Sequence, residues 1–318
     1  MEYVKCDLCG ADDTSLLFTA RDIDLSGKDL FNVVRCKKCG LVYLNPRPTK
    51  QELGKFYPEE YFLGHADTEG GIDKYQYQKM KKIKKFKSKG KILDVGCGTG
   101  YFLTVAKENG WETRGVEVSK IAASYARKKF SIDVFAGELL EAGYPDEYFD
   151  VVTLWHVLAH LPNPSETLAE VNRVLKKDGL LILTVPNIRG FQAKIFKEFW
   201  FHLDVPRHLY FFDMDTLEQI LRKNGFTILR TNHFSGELEA QGLIYSMLNV
   251  LKPQDAGKKT MGPRWDRRST SFAKRFYPLA KAGADVLSYF PSALRRGATI
   301  EAYSTKIKNV GQARKKSA

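Results

Sequence analysis

The hydrophobic positions in the central part of this chain fall into short apolar runs that alternate with amphipathic segments. The runs are four to seven residues long and are typical of parallel strands buried on both faces. The segments between them repeat apolar residues at helical spacing. The pattern predicts strands at 92–95, 113–117, 132–135, 149–155, 180–185 and 226–232, and helices at 100–109, 119–129, 165–176 and 214–224. Strands that alternate with helices predict an α/β fold with a doubly wound, mostly parallel sheet.

A glycine-rich turn follows the first predicted strand. Gly96, Gly98 and Gly100 alternate directly before a predicted helix. Glycine lets the backbone turn sharply and approach a ligand without a Cβ in the way, and the N–H groups at the start of a helix point toward such a ligand. Glu117 ends the next strand, where its carboxylate can accept hydrogen bonds from both hydroxyls of a ribose. These residues predict a nucleoside-cofactor site at the carboxyl ends of the strands.

The spacing of the glycines distinguishes between nucleoside cofactors. A dinucleotide site usually has the pattern G-x-G-x-x-G, whereas here the pattern is G-x-G-x-G and Asp94 stands two residues before the first glycine. A carboxylate at that position would repel a pyrophosphate and would attract an ammonium group. The stretch resembles motif I of the class I S-adenosylmethionine-dependent methyltransferases. A dinucleotide enzyme and a purely structural glycine turn are the alternatives.

The resemblance covers roughly residues 90–235. It implies a Rossmann-like methyltransferase fold with a seven-stranded sheet, and S-adenosylmethionine as the cofactor. Residues 137–139 fall where the family contacts the adenine amino group, and the end of the fourth strand falls where it lines the methionine part. The resemblance therefore assigns cofactor binding to Asp94, Gly96, Cys97, Gly98, Gly100, Glu117, Val118, Glu138, Leu139, Trp155 and His156.

Four of the five cysteines form two C-x-x-C-G pairs near the N-terminus, with 26 residues between the pairs. In a reducing cytosol such pairs are more often metal ligands than disulfides. The sequence therefore predicts a small zinc ribbon in which tetrahedral Zn²⁺ is held by Cys6, Cys9, Cys36 and Cys39. Because the protein supplies all four ligands, we expect the metal to be structural. Residues 16–18 and 31–34 are predicted as short strands of this ribbon.

Two further segments resemble a methyltransferase subgroup that carries an N-terminal zinc ribbon. They are Leu-Asn-Pro-Arg-Pro at 44–48 and His-Leu-Asp-Val-Pro-Arg-His-Leu-Tyr at 202–210. Some members of the subgroup are linked to glycan or lipid modification. The chain departs from the subgroup at Ala159, where a glutamate is usual, and at Ala298, where the closing strand usually carries an aspartate. These departures weaken what the resemblance implies about the substrate but leave the predicted cofactor site intact.

Histidines are the candidates for the chemistry, because no cluster of carboxylates with metal-ligand spacing follows the strands. Methyl transfer needs the nucleophile held in line with the methyl group, and an oxygen or carbon nucleophile often needs a base as well. We rank His208 first as base or substrate-orienting residue and His160 second, with Arg207 beside them; His156 is expected to form the wall of the cofactor pocket. The alternative is that Arg207 and His208 only hold their loop to the sheet.

The net charge of +13 is unevenly distributed, since residues 250–318 carry 16 Lys/Arg and 4 Asp/Glu. Residues 272–296 combine apolar residues at helical spacing with basic flanks. This segment is compatible with peripheral contact to a membrane surface, with packing on the domain or in a homodimer, and, less favourably, with nucleic acid. The expected acceptor is a small molecule, a glycan or a lipid-linked compound. An RNA methyltransferase and a cofactor-binding protein with little catalysis are the alternatives.

The sequence predicts the following organisation. The N-terminus lacks the apolar core of a signal peptide, so we expect a cytoplasmic protein, either free or peripheral on the inner face of the membrane. Glycines at 110, 179 and 225 are expected to end helices. The predicted parts are a zinc ribbon (1–48), a helical linker (49–89), the cofactor-binding catalytic domain (90–235), a basic amphipathic helical insert (236–297), a final strand (298–308) and a tail (309–318).

Overall fold

The computed structural model describes residues 1–23, 29–58, 74–235, 238–251, 282–284, 286–287 and 289–307. The strands in these ranges are β1 (Thr14–Arg21), β2 (Leu30–Cys36), β3 (Val42–Leu44), β4 (Lys91–Val95), β5 (Glu112–Glu117), β6 (Asp133–Ala136), β7 (Phe149–Trp155), β8 (Leu175–Pro186), β9 (Tyr210–Phe211), β10 (Phe226–Asn232) and β11 (Thr299–Lys306). The helices include α1 (Lys50–Leu53), α2 (Lys74–Ile83), α3 (Tyr101–Glu108), α4 (Lys120–Phe130), α5 (Pro164–Val174), α6 (Phe191–Phe196), α7 (Met214–Lys223) and α8 (Glu239–Leu251).

The larger sheet has seven strands in the order β10-β11-β8-β7-β4-β5-β6. The pairs β4–β5, β4–β7, β5–β6 and β7–β8 are parallel, whereas β11 is antiparallel to both of its neighbours. Strand β4 lies inside the sheet between β7 and β5, and its residues 92–95 are buried, because helices cover both faces of a doubly wound sheet. The predicted seven-stranded, mostly parallel fold is confirmed.

The predicted end of α5 and the predicted start of β8 are wrong. Helix α5 ends at Val174, two residues before the predicted end, and β8 begins at Leu175 instead of residue 180. Leu175 pairs with Phe149 and Leu180 pairs with Val151, so the register shifts between these pairs. Because residues 176–178 are polar, the sequence predicts a loop where the structure has this bulge. Gly179 therefore lies inside a strand and ends no helix, whereas Gly110 and Gly225 follow helices with φ values of +81° and +79°.

A second, four-stranded sheet has the order β1-β2-β3-β9. Its first three strands come from the cysteine-rich N-terminal part, and β1 and β2 confirm the two short strands predicted there. The fourth strand, β9, comes from the distant 202–210 segment: Val42 pairs with Phe211 and Tyr43 with Tyr210. Side chains from this sheet and from the larger sheet share one buried hydrophobic cluster. The N-terminal part is therefore packed directly against the loop that carries the candidate histidines.

The segment between β10 and β11 is described only in part. The first residue of helix α8 contacts the chain directly before β11, where the Ala298 amide donates to Glu239 Oε1 at 2.8 Å. Of the predicted amphipathic stretch at 272–296, residues 272–281, 285 and 288 lie outside the described residues. Its described members Leu287 and Phe290 are exposed. Among the helices formed by described residues, none has the length and apolar character required to cross a membrane.

Candidate functional site

The glycine turn lies between the end of β4 and the start of α3, at the carboxyl edge of the sheet. Gly96, Gly98 and Gly100 have φ values of +70°, +54° and +83°, which glycine adopts readily and other residues rarely do. A Cβ on Gly96 would lie 2.5 Å from Val157, and one on Gly100 would lie 2.8 Å from Ala126. A Cβ on Gly98 would meet no described atom within 4 Å. The turn is therefore closely packed on two sides and open at Gly98.

Glu117 lies beside this opening. The Gly98 amide donates to Glu117 Oε2 at 2.9 Å, and the Ser119 amide donates to Oε1 at 2.9 Å. The residue is only 5% exposed, and its burial raises the pKa of the carboxyl group. An ionised carboxylate offers about four acceptor positions, so both oxygens keep capacity for further donors. The ribose-binding role of Glu117 stays a prediction for which this carboxylate has free acceptor positions.

Asp94 is buried in β4 next to the turn. Thr153 Oγ1 donates to Asp94 Oδ1 at 2.6 Å. Burial raises the pKa of Asp94 to about 7, although Thr153 and the charge of Lys79 act in the opposite direction. The sequence analysis did not single out Lys79, which comes from α2. Its Nζ lies 5.1 Å from the centre of the Trp155 ring, so α2 covers the edge of the sheet near Asp94.

The remaining predicted cofactor residues lie along the same edge. Trp155 ends β7 and His156 follows it. Both line a small pocket with residues of α2, including Lys79. Burial lowers the pKa of His156 to about 3. Glu138 follows β6 and forms an ion pair with Lys50 at 2.6 Å, a partner that the sequence did not indicate. For the others, Cys97 and Leu139 are buried and Val118 is exposed.

Arg207 is almost fully buried in the loop before β9 (residues 202–209), the candidate catalytic loop. Its side chain is 1% exposed and lies between two carboxylates. Nη1 and Nη2 each donate to Asp22 at 3.1 Å, and Nε donates to Asp204 Oδ1 at 2.7 Å. Asp22 follows β1 of the N-terminal sheet and was not predicted, because 185 residues separate it from Arg207. This geometry favours a positioning role for Arg207 over direct contact with a substrate.

His160 and His208 lie next to each other, with ring centres 4.4 Å apart. His208 Nδ1 lies 2.9 Å from the carbonyl oxygen of His202, and His160 Nδ1 lies 3.1 Å from that of Arg207 and 2.9 Å from the Tyr57 hydroxyl. A carbonyl only accepts, so these contacts place the proton on Nδ1 and leave Nε2 as the acceptor. Burial lowers the pKa of both imidazoles, that of His160 to about 3. Both rings are therefore neutral near pH 7.

The four N-terminal cysteines converge. Their sulfur atoms all lie within 4.8 Å of one another, with 3.4 Å between Cys6 and Cys39 and 3.5 Å between Cys9 and Cys36. A tetrahedron of thiolates about 2.3 Å from a zinc ion has edges of about 3.8 Å. Each C-x-x-C pair is closed by a glycine amide that donates to the carbonyl of the first cysteine. The donor set and its spacing fit the predicted zinc.

The sequence also belongs to a known family. The profile of the Methyltransferase domain family matches residues 73–231, which is half of the chain. The chain is thus a member of this family, and the match covers the glycine turn, the candidate histidines and most of the larger sheet, with β11 outside it.

Two curated relatives and one solved structure illustrate what the chain is similar to. It is 32% identical over 113 residues to a ubiquinone biosynthesis O-methyltransferase of Azoarcus sp. (33% of this chain, 48% of that protein). It is 28% identical over 179 residues to a demethylmenaquinone methyltransferase of Listeria welshimeri (47% of this chain, 75% of that protein). A methyltransferase structure from Archaeoglobus fulgidus, described as SAM-dependent, superposes with a TM-score of 0.51 at 23% identity, covering 77% of this chain and 99% of that one. The chain spans about half the length of several curated relatives it matches.

Proposed function

We propose that this chain binds S-adenosylmethionine at the glycine turn and transfers its methyl group to a small-molecule, glycan or lipid-linked acceptor. One arrangement carries the proposal: the open turn at Gly98, the buried Glu117 carboxylate and the His160–His208 pair lie on the same edge of the sheet. Membership of the methyltransferase-domain family and the relatives named for quinone methylation support the same reaction class. A quinol is therefore added to the acceptors to be tested.

The residues present fit the cofactor. Glu117 would accept hydrogen bonds from the ribose hydroxyls, and Asp94 would balance the ammonium group. Glu138 and Leu139 would contact the adenine, and Trp155 and His156 would border the methionine part. The cofactor supplies the electrophilic methyl carbon of a sulfonium group; the residues of the chain bind it, orient it and exclude water from it.

On the acceptor side, the two imidazoles would orient the nucleophile. An effective general base has a pKa close to the working pH, whereas burial lowers the pKa of His160 to about 3. This supports orientation through Nε2 over proton abstraction by His160. His208 remains the first candidate for contact with the acceptor, and Arg207 would hold the loop that presents it.

The cysteine cluster would hold structural Zn²⁺. Its four sulfurs leave no ligand position open to a substrate. Metal analysis of protein purified under reducing conditions should find one zinc ion per cysteine cluster. The Cys9→Ser variant should lose this zinc. Protein that folds without zinc at this cluster would contradict the assignment.

The acceptor class is tested by incubating the purified protein with methyl-labelled S-adenosylmethionine and separate lipid, glycan, quinol and RNA fractions. We expect label in a lipid, glycan or quinol fraction. Label that appears only in RNA would overturn the acceptor class. Cofactor binding without label in any fraction would favour a cofactor-binding protein with little catalysis. An inactive parent protein that gains turnover through Ala159→Glu would favour the same alternative.

A further inference from the structure

Three potential metal ligands meet beside the candidate cofactor site, outside the cysteine cluster. His160 comes from the turn that follows β7, and Asp204 and His208 come from the loop before β9. One ligand atom from each side chain lies within 4.8 Å of the other two. Two imidazoles and one carboxylate form a donor set that suits zinc, iron and related divalent cations.

Both imidazoles are held as metal-binding histidines usually are. A ligating histidine donates its other ring N–H to a carbonyl or a similar acceptor, which fixes the tautomer and the ring orientation. Here the carbonyls of His202 and Arg207 lie 2.9 and 3.1 Å from Nδ1 of His208 and His160. Among the described residues, no observed hydrogen bond involves Nε2 of either ring. Neither Nε2 is one of the buried side-chain atoms that lack a hydrogen-bond partner. Both Nε2 lone pairs are therefore available to a ligand.

We propose that His160, Asp204 and His208 hold one divalent cation and leave one of its coordination positions open to the acceptor. Ligand atoms on a tetrahedral cation about 2.1 Å away lie about 3.4 Å apart. The three ligand atoms lie within 4.8 Å of one another, so side-chain movements of about 1 Å are enough to bring them to that spacing. The Asp204 side chain is 18% exposed, and Arg207 holds it through Oδ1.

The role of this cation rests on the proposed methyl transfer. An acceptor hydroxyl at the open position would lose its proton to water more easily, because a cation lowers the pKa of an oxygen ligand. The oxygen lone pair then forms the new bond to the methyl carbon. The carbon–sulfur bond breaks with its electron pair on sulfur, and the sulfonium becomes a neutral thioether.

Cobalt chloride tests the cation site directly. Protein that already contains its cysteine-bound zinc is titrated with Co²⁺ and followed by visible absorption. Cobalt bound to cysteine gives strong sulfur-to-metal charge-transfer absorption, whereas cobalt on imidazole and carboxylate does not, so the two sites are distinguishable. We expect one equivalent per chain without the charge-transfer absorption. Binding should weaken about tenfold or more in His160→Gln and in Asp204→Asn.

His202→Gln is the matched control, because this buried imidazole lies outside the cluster and its backbone carbonyl is retained. Absence of the additional equivalent in the parent protein would overturn the proposal. If circular dichroism shows that both variants are folded, equal weakening of cobalt binding in His202→Gln and His160→Gln would also overturn the proposal. Cobalt binding needs neither cofactor nor acceptor: a loaded site without methyl transfer would refute only the proposed function. Methyl transfer at an unchanged rate after removal of the cation would refute only its role here.

Discussion

At the scale of single residues, Glu117 and Glu112 stand at opposite ends of β5 and have opposite surroundings. Glu117 is buried against the glycine turn, whereas Glu112 is exposed and forms an ion pair with Arg114. We expect Glu117→Gln to weaken S-adenosylmethionine binding by about tenfold to a hundredfold, because hydrogen bonds to a charged group are worth about 1.5–3 kcal/mol. Isothermal titration calorimetry measures this. Glu112→Gln is the control, and equal affinity of the two variants would contradict the role of Glu117.

The raised pKa of Asp94 predicts how cofactor binding depends on pH. Burial raises the pKa of this carboxyl group to about 7, so it is largely protonated below pH 7 and ionised above. Only the ionised form balances an ammonium group. We therefore expect the affinity for S-adenosylmethionine to increase as the pH rises through about 7 and to level off above it. Calorimetric titrations with S-adenosylmethionine across this pH range measure the effect. They should also detect the release of a proton on binding near pH 7.

Asp94→Asn should bind more weakly and lose this pH dependence. Asp133→Asn, an exposed aspartate of β6, should behave like the parent protein. If Asp94→Asn kept the pH profile of the parent, another group would be responsible for it.

At the scale of elements, the N-terminal sheet and the candidate catalytic loop form one unit. Strand β9 extends the N-terminal sheet directly after His208, and Asp22 reaches Arg207 from the end of β1. Tyr57, just beyond this sheet, contacts His160. The zinc ribbon would thus act on the chemistry through the position of this loop.

Asp22→Asn tests this coupling, because it removes one carboxylate from a buried arginine. We expect a loss of about 3 kcal/mol in the free energy of unfolding, near the lower limit for a broken buried pair, since Arg207 keeps Asp204. Urea denaturation measures this loss. Acceptor turnover should fall more than S-adenosylmethionine affinity, because Glu117 and Asp94 lie outside the affected contacts.

Asp13→Asn is the matched control: Asp13 lies in the same N-terminal part but forms an exposed ion pair with Lys37. Such pairs contribute about 0–1 kcal/mol. An Asp22→Asn protein as stable and active as Asp13→Asn would show that the ribbon does not position the loop.

At the scale of the whole molecule, the described part of the insert presents exposed apolar side chains. Leu287 and Phe290 are 69% and 71% exposed, and basic residues flank them in the sequence. We expect a second copy of the chain or an anionic membrane surface to cover them. Analytical ultracentrifugation and co-sedimentation with anionic vesicles distinguish the two. Leu287→Ser with Phe290→Ser should abolish whichever association the parent shows, and a monomeric parent that ignores vesicles would contradict the prediction.

The sequence by itself determined the local features of this protein. Apolar runs identify strands because a buried parallel strand tolerates few polar residues, and this was sufficient for the seven-stranded sheet. The alternating glycines, Asp94 and Glu117 lie within 24 residues, and each C-x-x-C pair is a single turn, so their chemistry is visible without coordinates. The bulge in β8 was missed because polar residues 176–178 look like a loop.

Only the tertiary structure decided which distant residues meet. Asp22 with Arg207, Tyr57 with His160, and β9 with β3 are all separated by more than 100 residues. No periodicity encodes such contacts, because they depend on how two sheets pack. The same holds for the convergence of His160, Asp204 and His208. The sequence offered His160 and His208 as individual candidates; the fold brings them together with Asp204 and, through burial, keeps both imidazoles neutral.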